Sequence, residues 1–184
     1  MDGIERVLAL SFDALIDYYG DMVWRIALAH EHNAAVAEEL YQEICFALWS
    51  SCDRIEAAEQ PKAYVARIAM NQAISHVRRE VKLPETVVAD VEAQSQPQDD
   101  APLDETLHRL HQQERLLAAV QQLPLNWRQP VTLTLEGFKP AEIAYVMGTS
   151  ANSVSLRLTR AKTTLRKLLN DTPTSPRETV GATA

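Results

Sequence analysis

Glycine is scarce in this chain, with five in 184 residues, and no Gly-rich run is present that would cradle a phosphate. Cysteine is limited to Cys45 and Cys52. Their spacing places both on one side of a helix, too far apart for a disulfide along a single rod. Neither sits among enough other ligands to build a metal site, so they are expected to be buried free thiols in a reducing cytoplasm. No apolar run is long enough to span a bilayer. The opening, MDGIERVLALSFDALIDYYGD, carries acids through its apolar stretch and lacks a basic start, which excludes a signal peptide reading. Clean alternation of apolar and polar residues is missing, so strands are not expected. No Ser/His/Asp grouping and no pair of catalytic carboxylates points to an enzyme. His30, His32, His76, His108 and His111 form no ligand set and are expected at the surface or half-buried. No cofactor or metal is expected.

What the chain does have is charge that is unevenly spread. Residues 1–83 hold 8 basic and 13 acidic residues, residues 84–106 hold none and 7, and residues 107–184 hold 10 and 5. The first two parts are therefore net acidic, by five and seven charges, and the last part is net basic by five. A cationic footprint on one lobe still supplies attraction to phosphates.

That basic part contains KPAEIAYVMGTSANSVSLRLTRAKTTLRK, residues 139–167. Pro140 suits a first helical position. Ile143, Ala144 and Met147 recur at helical spacing, and Gly148 follows where a left-handed residue would stop the helix. Ser150 can cap the next helix. Val154, Leu158, Ala161, Leu165 and Leu168 then form an apolar stripe. Ala144 and Gly148 are small where two helices would cross closely. This layout predicts a helix-turn-helix, whose second helix enters the major groove. That helix carries five cations and no acid between Ser150 and Leu169.

The rest reads as all-α. In residues 1–82, Phe12, Leu15, Ile16, Tyr19, Val23 and Ile26 fit a 3.6-residue period. So do Val36, Leu40, Ile44, Ala47 and Leu48, and then Tyr64, Ile68, Ala69, Ala73 and Val77. Three or more packed helices are expected, the last opened by Pro61 and running to about Arg79. Residues 83–105 are rich in Pro, Gln and acids and read as a flexible acidic linker. Residues 106–169 form the second helical domain, with helices near 107–122 and 126–135 before the helix-turn-helix. Residues 170–184 read as a disordered tail. An acidic first lobe and a basic second lobe are expected to attract one another at low salt.

The two lobes together resemble a known family. AEELYQEICFALW at 37–49 resembles the core-polymerase-binding helix of bacterial sigma factors. AYVARIAMNQAISHVRR at 63–79 resembles the helix that follows it. QQLP at 121–124 and WRQPVTLTLEGFKPAEIAYVMGTSANSVSLRLTRA at 127–161 resemble the promoter −35 recognition domain. The order and spacing are similar to the small two-domain sigma factors of the extracytoplasmic-function (ECF, group IV) type. Ser75 stands where that family usually has Asp, Tyr64 where it often has Trp, and Lys139 where a small hydroxyl cap is usual.

The resemblance implies a cytoplasmic, non-enzymatic initiation factor that binds core RNA polymerase and recognises −10 and −35 promoter elements. It implies that Glu39, Gln42, Glu43, Phe46 and Trp49 meet the polymerase, with Phe46 and Trp49 as apolar anchors. Read without the resemblance, the same segment is a solvated acidic face with Phe46 and Trp49 in the core. Asn71, Arg78, Arg79 and Lys82 would hold the opened −10 strand, with the loop at 50–60 taking an extruded base. Asn152, Ser153, Ser155 and Arg157 would reach base edges of the −35 element, and Arg160, Lys162, Arg166 and Lys167 its phosphates. The acidic linker would either imitate nucleic acid in a polymerase channel or serve as a spacer. Family members are often held by an anti-sigma factor. Two other readings compete: a sigma-like decoy for such a factor, and a stand-alone helix-turn-helix regulator, which would have no use for residues 37–49.

Overall fold

Apolar residues at three- and four-residue spacing, bounded by caps and prolines, produce helices throughout. A computed structural model of the chain describes residues 12–80 and 103–171, and among these there are eight helices and no strand. The first lobe holds α1 (Phe12–His30), α2 (Ala34–Trp49), α3 (Cys52–Glu56) and α4 (Pro61–Glu80). The second holds α5 (Leu103–Gln121), α6 (Leu125–Leu135), α7 (Pro140–Met147) and α8 (Ala151–Asp171). α5 begins three residues inside the segment read as linker, and α8 passes the expected end at 169 by one turn-fraction of two residues. The remainder of the linker and of the tail lies outside the described residues.

Local chemistry sets the boundaries. The Asn33 side chain accepts a hydrogen bond from the backbone N–H of Ala35 at 2.9 Å and so caps α2. α2 then stops at Ser50, whose hydroxyl donates back to the Phe46 carbonyl at 2.9 Å. That break matters for the cysteines. Cys45 lies in α2 and Cys52 in α3, so they do not share one rod, and both are only partly buried free thiols rather than buried ones.

In the first lobe, α1, α2 and α4 pack against one another around Leu15, Val23, Ile26, Leu40, Ile44, Leu48, Val65 and Met70. Ile55 of α3 is fully buried beneath them. In the second lobe, Val154 and Ala161 of α8 are buried, while Leu158, Leu165 and Leu168 of the expected stripe are partly covered.

The lobes are docked on each other. Leu133, Phe138, Ile143, Ala144, Val146 and Val154 of the second lobe belong to the same apolar cluster as the first-lobe core. Ala29 of α1 in turn belongs to the cluster of Val120, Leu123, Val131 and Ala161. α7 packs on α4, and α5 and α6 pack on α1. Two of the polar contacts at this seam run against the expected net charges. Cations of the acidic lobe, Arg25 and Lys62, meet an acid and a carbonyl of the basic lobe, both from Glu136. Gln121 Nε2 of the second lobe also donates to the Leu28 and Glu31 carbonyls of the first, so local side chains of both senses cross the seam beside the apolar clusters.

Candidate functional site

Three exposed faces carry the residues singled out from the sequence. On α2, Glu39, Gln42, Glu43, Phe46 and Trp49 recur at three- and four-residue intervals and are all exposed. Leu40, Ile44 and Leu48 take the opposite, buried face. Phe46 is 68% exposed and Trp49 59%, with ring centroids 5.9 Å apart. The reading that placed these two rings in the core is thereby overturned. Two large aromatic rings held side by side in solvent, flanked by carboxylates, form an amphipathic contact surface.

On α4, Asn71, Ser75, Arg78 and Arg79 are exposed along one face, and the two arginines occupy the last turn, where cations offset the helix dipole. Arg79 Nη2 donates to Glu43 Oε2 at 2.7 Å. The α4 and α2 faces are thus adjacent and joined by a half-exposed ion pair. Lys82 lies outside the described residues. The segment 50–60 is less a loop than expected, since it folds into α3, with Asp53, Arg54, Glu56 and Glu59 exposed around buried Ile55.

The helix-turn-helix forms as its residues dictate. Gly148 adopts φ 62°, and a Cβ there would meet nothing within 4 Å. Its role is the left-handed conformation, not the close helix crossing expected from its size. Thr149 N–H reaches the Ala144 carbonyl at 2.9 Å and Gly148 N–H the Tyr145 carbonyl at 3.3 Å, which closes α7. The Ser150 hydroxyl accepts from Ser153 N–H at 3.2 Å and opens α8. At the start of α7, the Glu142 carboxylate accepts the Lys139 backbone N–H at 2.6 Å, which supplies the cap that the Lys139 side chain does not. Asn152, Ser155, Arg160, Lys162, Arg166 and Lys167 are exposed, and Ser153 and Arg157 partly so. The Ser155 hydroxyl donates to the Ala151 carbonyl at 3.0 Å, leaving its oxygen able to accept.

Histidines depart from expectation. His32, His108 and His111 are exposed, but His30 and His76 are buried at the junction of the lobes. His30 Nδ1 lies 2.8 Å from the Ile26 carbonyl, and His76 Nε2 lies 3.0 Å from Glu31 Oε2. Burial pulls His30 down to about 4, against the opposing pull of the Ile26 carbonyl, with Arg128 and His76 lowering it further. Among the described residues, no group of three or more His, Cys, Asp or Glu is placed to hold a metal, and no helix is long and apolar enough to cross a membrane.

Comparison with known proteins agrees with this arrangement. The model of Sigma-70 region 2 matches residues 15–82, and that of Sigma-70 region 4 matches residues 113–165. The ECF RNA polymerase sigma factor SigL of Mycobacterium tuberculosis is 30% identical over 175 residues, covering 93% of this chain and 96% of SigL. The chain belongs to the ECF sigma factors. A sigma factor directs transcription initiation, and the two docked lobes of this one correspond to regions 2 and 4. RNA polymerase sigma factor SigV of Bacillus subtilis is 26% identical over 159 residues, with 86% of this sigma factor and 90% of SigV covered. The fold of this sigma factor is also that of the RpoE chain from Bartonella quintana, solved in complex with the anti-sigma factor NepR. The two superpose with a TM-score of 0.65 at 22% identity, over 88% of this chain and 98% of that one.

Sequence reasoning missed two features. The Arg79–Glu43 pair joins residues 36 apart in the chain, and the Arg25–Glu136 pair joins residues 111 apart. Neither has a local signature, because a pairing across elements leaves no periodicity to detect.

Proposed function

We propose that the α2 face is the surface with which this sigma factor holds core RNA polymerase. Glu39, Gln42 and Glu43 form its polar part and Phe46 and Trp49 its anchors. The single observation that carries this is the exposure of both aromatic rings beside the acids, since a sequence that buries Leu40, Ile44 and Leu48 has no packing reason to leave them out. The adjoining α4 face, with Asn71, Arg78 and Arg79, holds the phosphates of the −10 strand. The first turns of α8 read the −35 element through Asn152, Ser153, Ser155 and Arg157, and Arg160 and Lys162 grip its backbone. The protein acts in the cytoplasm, performs no catalysis of its own, and is held by an anti-sigma factor, as the solved relative from Bartonella quintana is.

The test compares the wild type with a Glu39→Lys, Glu43→Lys chain for binding to core RNA polymerase of the source bacterium and for transcript starts on genomic fragments. Saturable binding and new starts are expected from the wild type, both reduced at least tenfold in the variant. Charge reversal at two interface acids costs about 2 kcal/mol or more. Equal binding by both chains would move the polymerase surface away from α2. Binding without transcripts would favour a decoy that occupies anti-sigma factor.

A further inference from the structure

The outward face of α8 is not uniformly polar. Val154 and Ala161 are fully buried and fix the inward direction of the helix. At about 100° per residue, Asn152 and Leu156 each stand within about 20° of the opposite pole. Thr159 and Thr163 continue that column, and Ser155 and Arg160 flank it; all six are exposed. Leu156 is 53% exposed, and among the described exposed positions of α8 it is the one large apolar side chain. Two other leucines, Leu158 and Leu165, serve the inward side, where they pack against the apolar cluster of Val120, Leu123 and Ala161. Ser153 and Arg157, each only partly exposed, stand at the side of the helix rather than at its outward pole.

The hydroxyls of this face turn their protons back to the helix. Ser155 Oγ donates to the Ala151 carbonyl at 3.0 Å, Thr159 Oγ1 to the Ser155 carbonyl at 2.9 Å and Thr163 Oγ1 to the Thr159 carbonyl at 3.2 Å. What remains at the pole is the Asn152 amide, acceptor oxygens, and the apolar carbon of Leu156 and the threonines. Such a pole has little to give the O6 and N7 acceptors of guanine, which take paired donors from Arg or Lys. Thymine alone of the four bases shows a methyl group in the major groove, and that group is met by apolar contact. A leucine left in solvent in the first turns of a helix that enters the groove has this one base feature as its match.

We propose that Leu156 is a specificity-determining residue of this sigma factor, lying against the C5 methyl group of a thymine in the −35 element. The inference rests on the initiation reading above and adds to it a base-reading residue that has no hydrogen-bonding group. Leucine and methyl group leave water together, which favours thymine. Cytosine in its place lacks the methyl group and brings an N4 donor that Leu156 would cover without pairing. Asn152 stands one turn earlier, about 6 Å along the helix, and so meets a base pair one or two steps of about 3.4 Å away. An adenine there matches both groups of its amide. Arg160 and Lys162, round the flank, hold phosphates and set the depth at which Leu156 enters the groove.

The experiment uses polymerase holoenzyme assembled with the full chain as wild type, as Leu156→Ala and as Leu156→Met. Circular dichroism of the free chains confirms equal helicity. Duplexes are selected by the wild-type holoenzyme from a pool of random sequence. Each thymine common to the recovered duplexes is then replaced singly by deoxyuridine, which removes the methyl group and keeps every hydrogen-bonding group. One replacement should weaken wild-type binding about fourfold, the factor for one methyl-sized apolar group returned to water. Leu156→Ala should bind the thymine and deoxyuridine duplexes equally at that position, with about the affinity of the wild type for deoxyuridine. Leu156→Met, apolar and of similar reach, should keep most of the discrimination. If Leu156→Ala shows the same loss as the wild type at every thymine, Leu156 touches no methyl group; the inference is overturned and the initiation reading stands. If no replacement weakens the wild type, the outcome is the same. If the wild-type chain joins no polymerase, or recovers no common sequence with it, the initiation reading falls and this inference with it.

Discussion

His30 shows how a single residue can bind the stability of the fold to pH. It is 2% exposed at the end of α1, and its folded value lies at about 4 against 6.5 for the free side chain. The fold therefore prefers the neutral ring. Above the unfolded value neither state holds the proton and nothing is lost. As pH falls from 6.5 toward 4 the unfolded chain takes up a proton that the fold refuses, and stability falls. The expected loss from this residue between about pH 7.5 and about pH 5 is about 2 kcal/mol. Urea denaturation at both pH values checks this, with His30→Leu as control. The variant should lose about 2 kcal/mol less than the wild type over the same interval. An equal pH dependence in both chains would assign the effect to groups other than His30. The spacing of the histidines offers no sign of this. Burial of a polar ring at a junction of helices depends on residues from α4 and α6 that are distant in the chain.

Among elements, the helix-turn-helix was the most legible because its signals are local. Pro140 at the first turn, Gly148 at the stop and Ser150 at the next cap each act within four residues of their own position. Of the two roles that the position of Gly148 suggested, the left-handed helix stop holds and the close helix crossing does not, since small size and conformational freedom look the same in sequence. The structure leaves open space around it and requires φ 62°. Gly148→Ala should therefore cost about 1–2 kcal/mol through backbone strain alone, and Gly148→Asn less, because Asn tolerates the left-handed region. Denaturation midpoints with unchanged m-values would check this. A neutral Gly148→Ala would mean that the turn relaxes. The α2 face was half-legible. The acidic spacing was plain, but whether Phe46 and Trp49 faced inward depended on Leu40, Ile44 and Leu48 already filling the core side. The Arg79–Glu43 pair, which ties that face to α4, was not legible at all.

At the scale of the molecule, the sequence divides into two lobes more sharply than the structure does. The acidic segment between them and the break in helical periodicity suggested independent units attracted by opposite net charge. Instead both apolar clusters cross the boundary, with Phe138 and Ile143 in one and Ala29 in the other. Two bodies sharing two apolar clusters should unfold together, because melting either one exposes the apolar surface that the other covers. The three tryptophans can test this, since Trp24 and Trp49 report on the first lobe and Trp127 on the second. In Trp127→Phe and in a Trp24→Phe, Trp49→Phe chain, thermal transitions read by fluorescence should coincide with each other and with loss of helicity by circular dichroism. Phe138→Ala, which empties part of the shared cluster, should lower stability by about 3–5 kcal/mol and shift the probes of both lobes. If only the Trp127 transition moved, the clusters would be energetically separate, and the seam would be a contact between finished domains. Coincident shifts would instead mean that the apolar surface shared across the seam, with Phe138 and Ile143 on one side and Ala29 on the other, is part of what keeps each lobe folded.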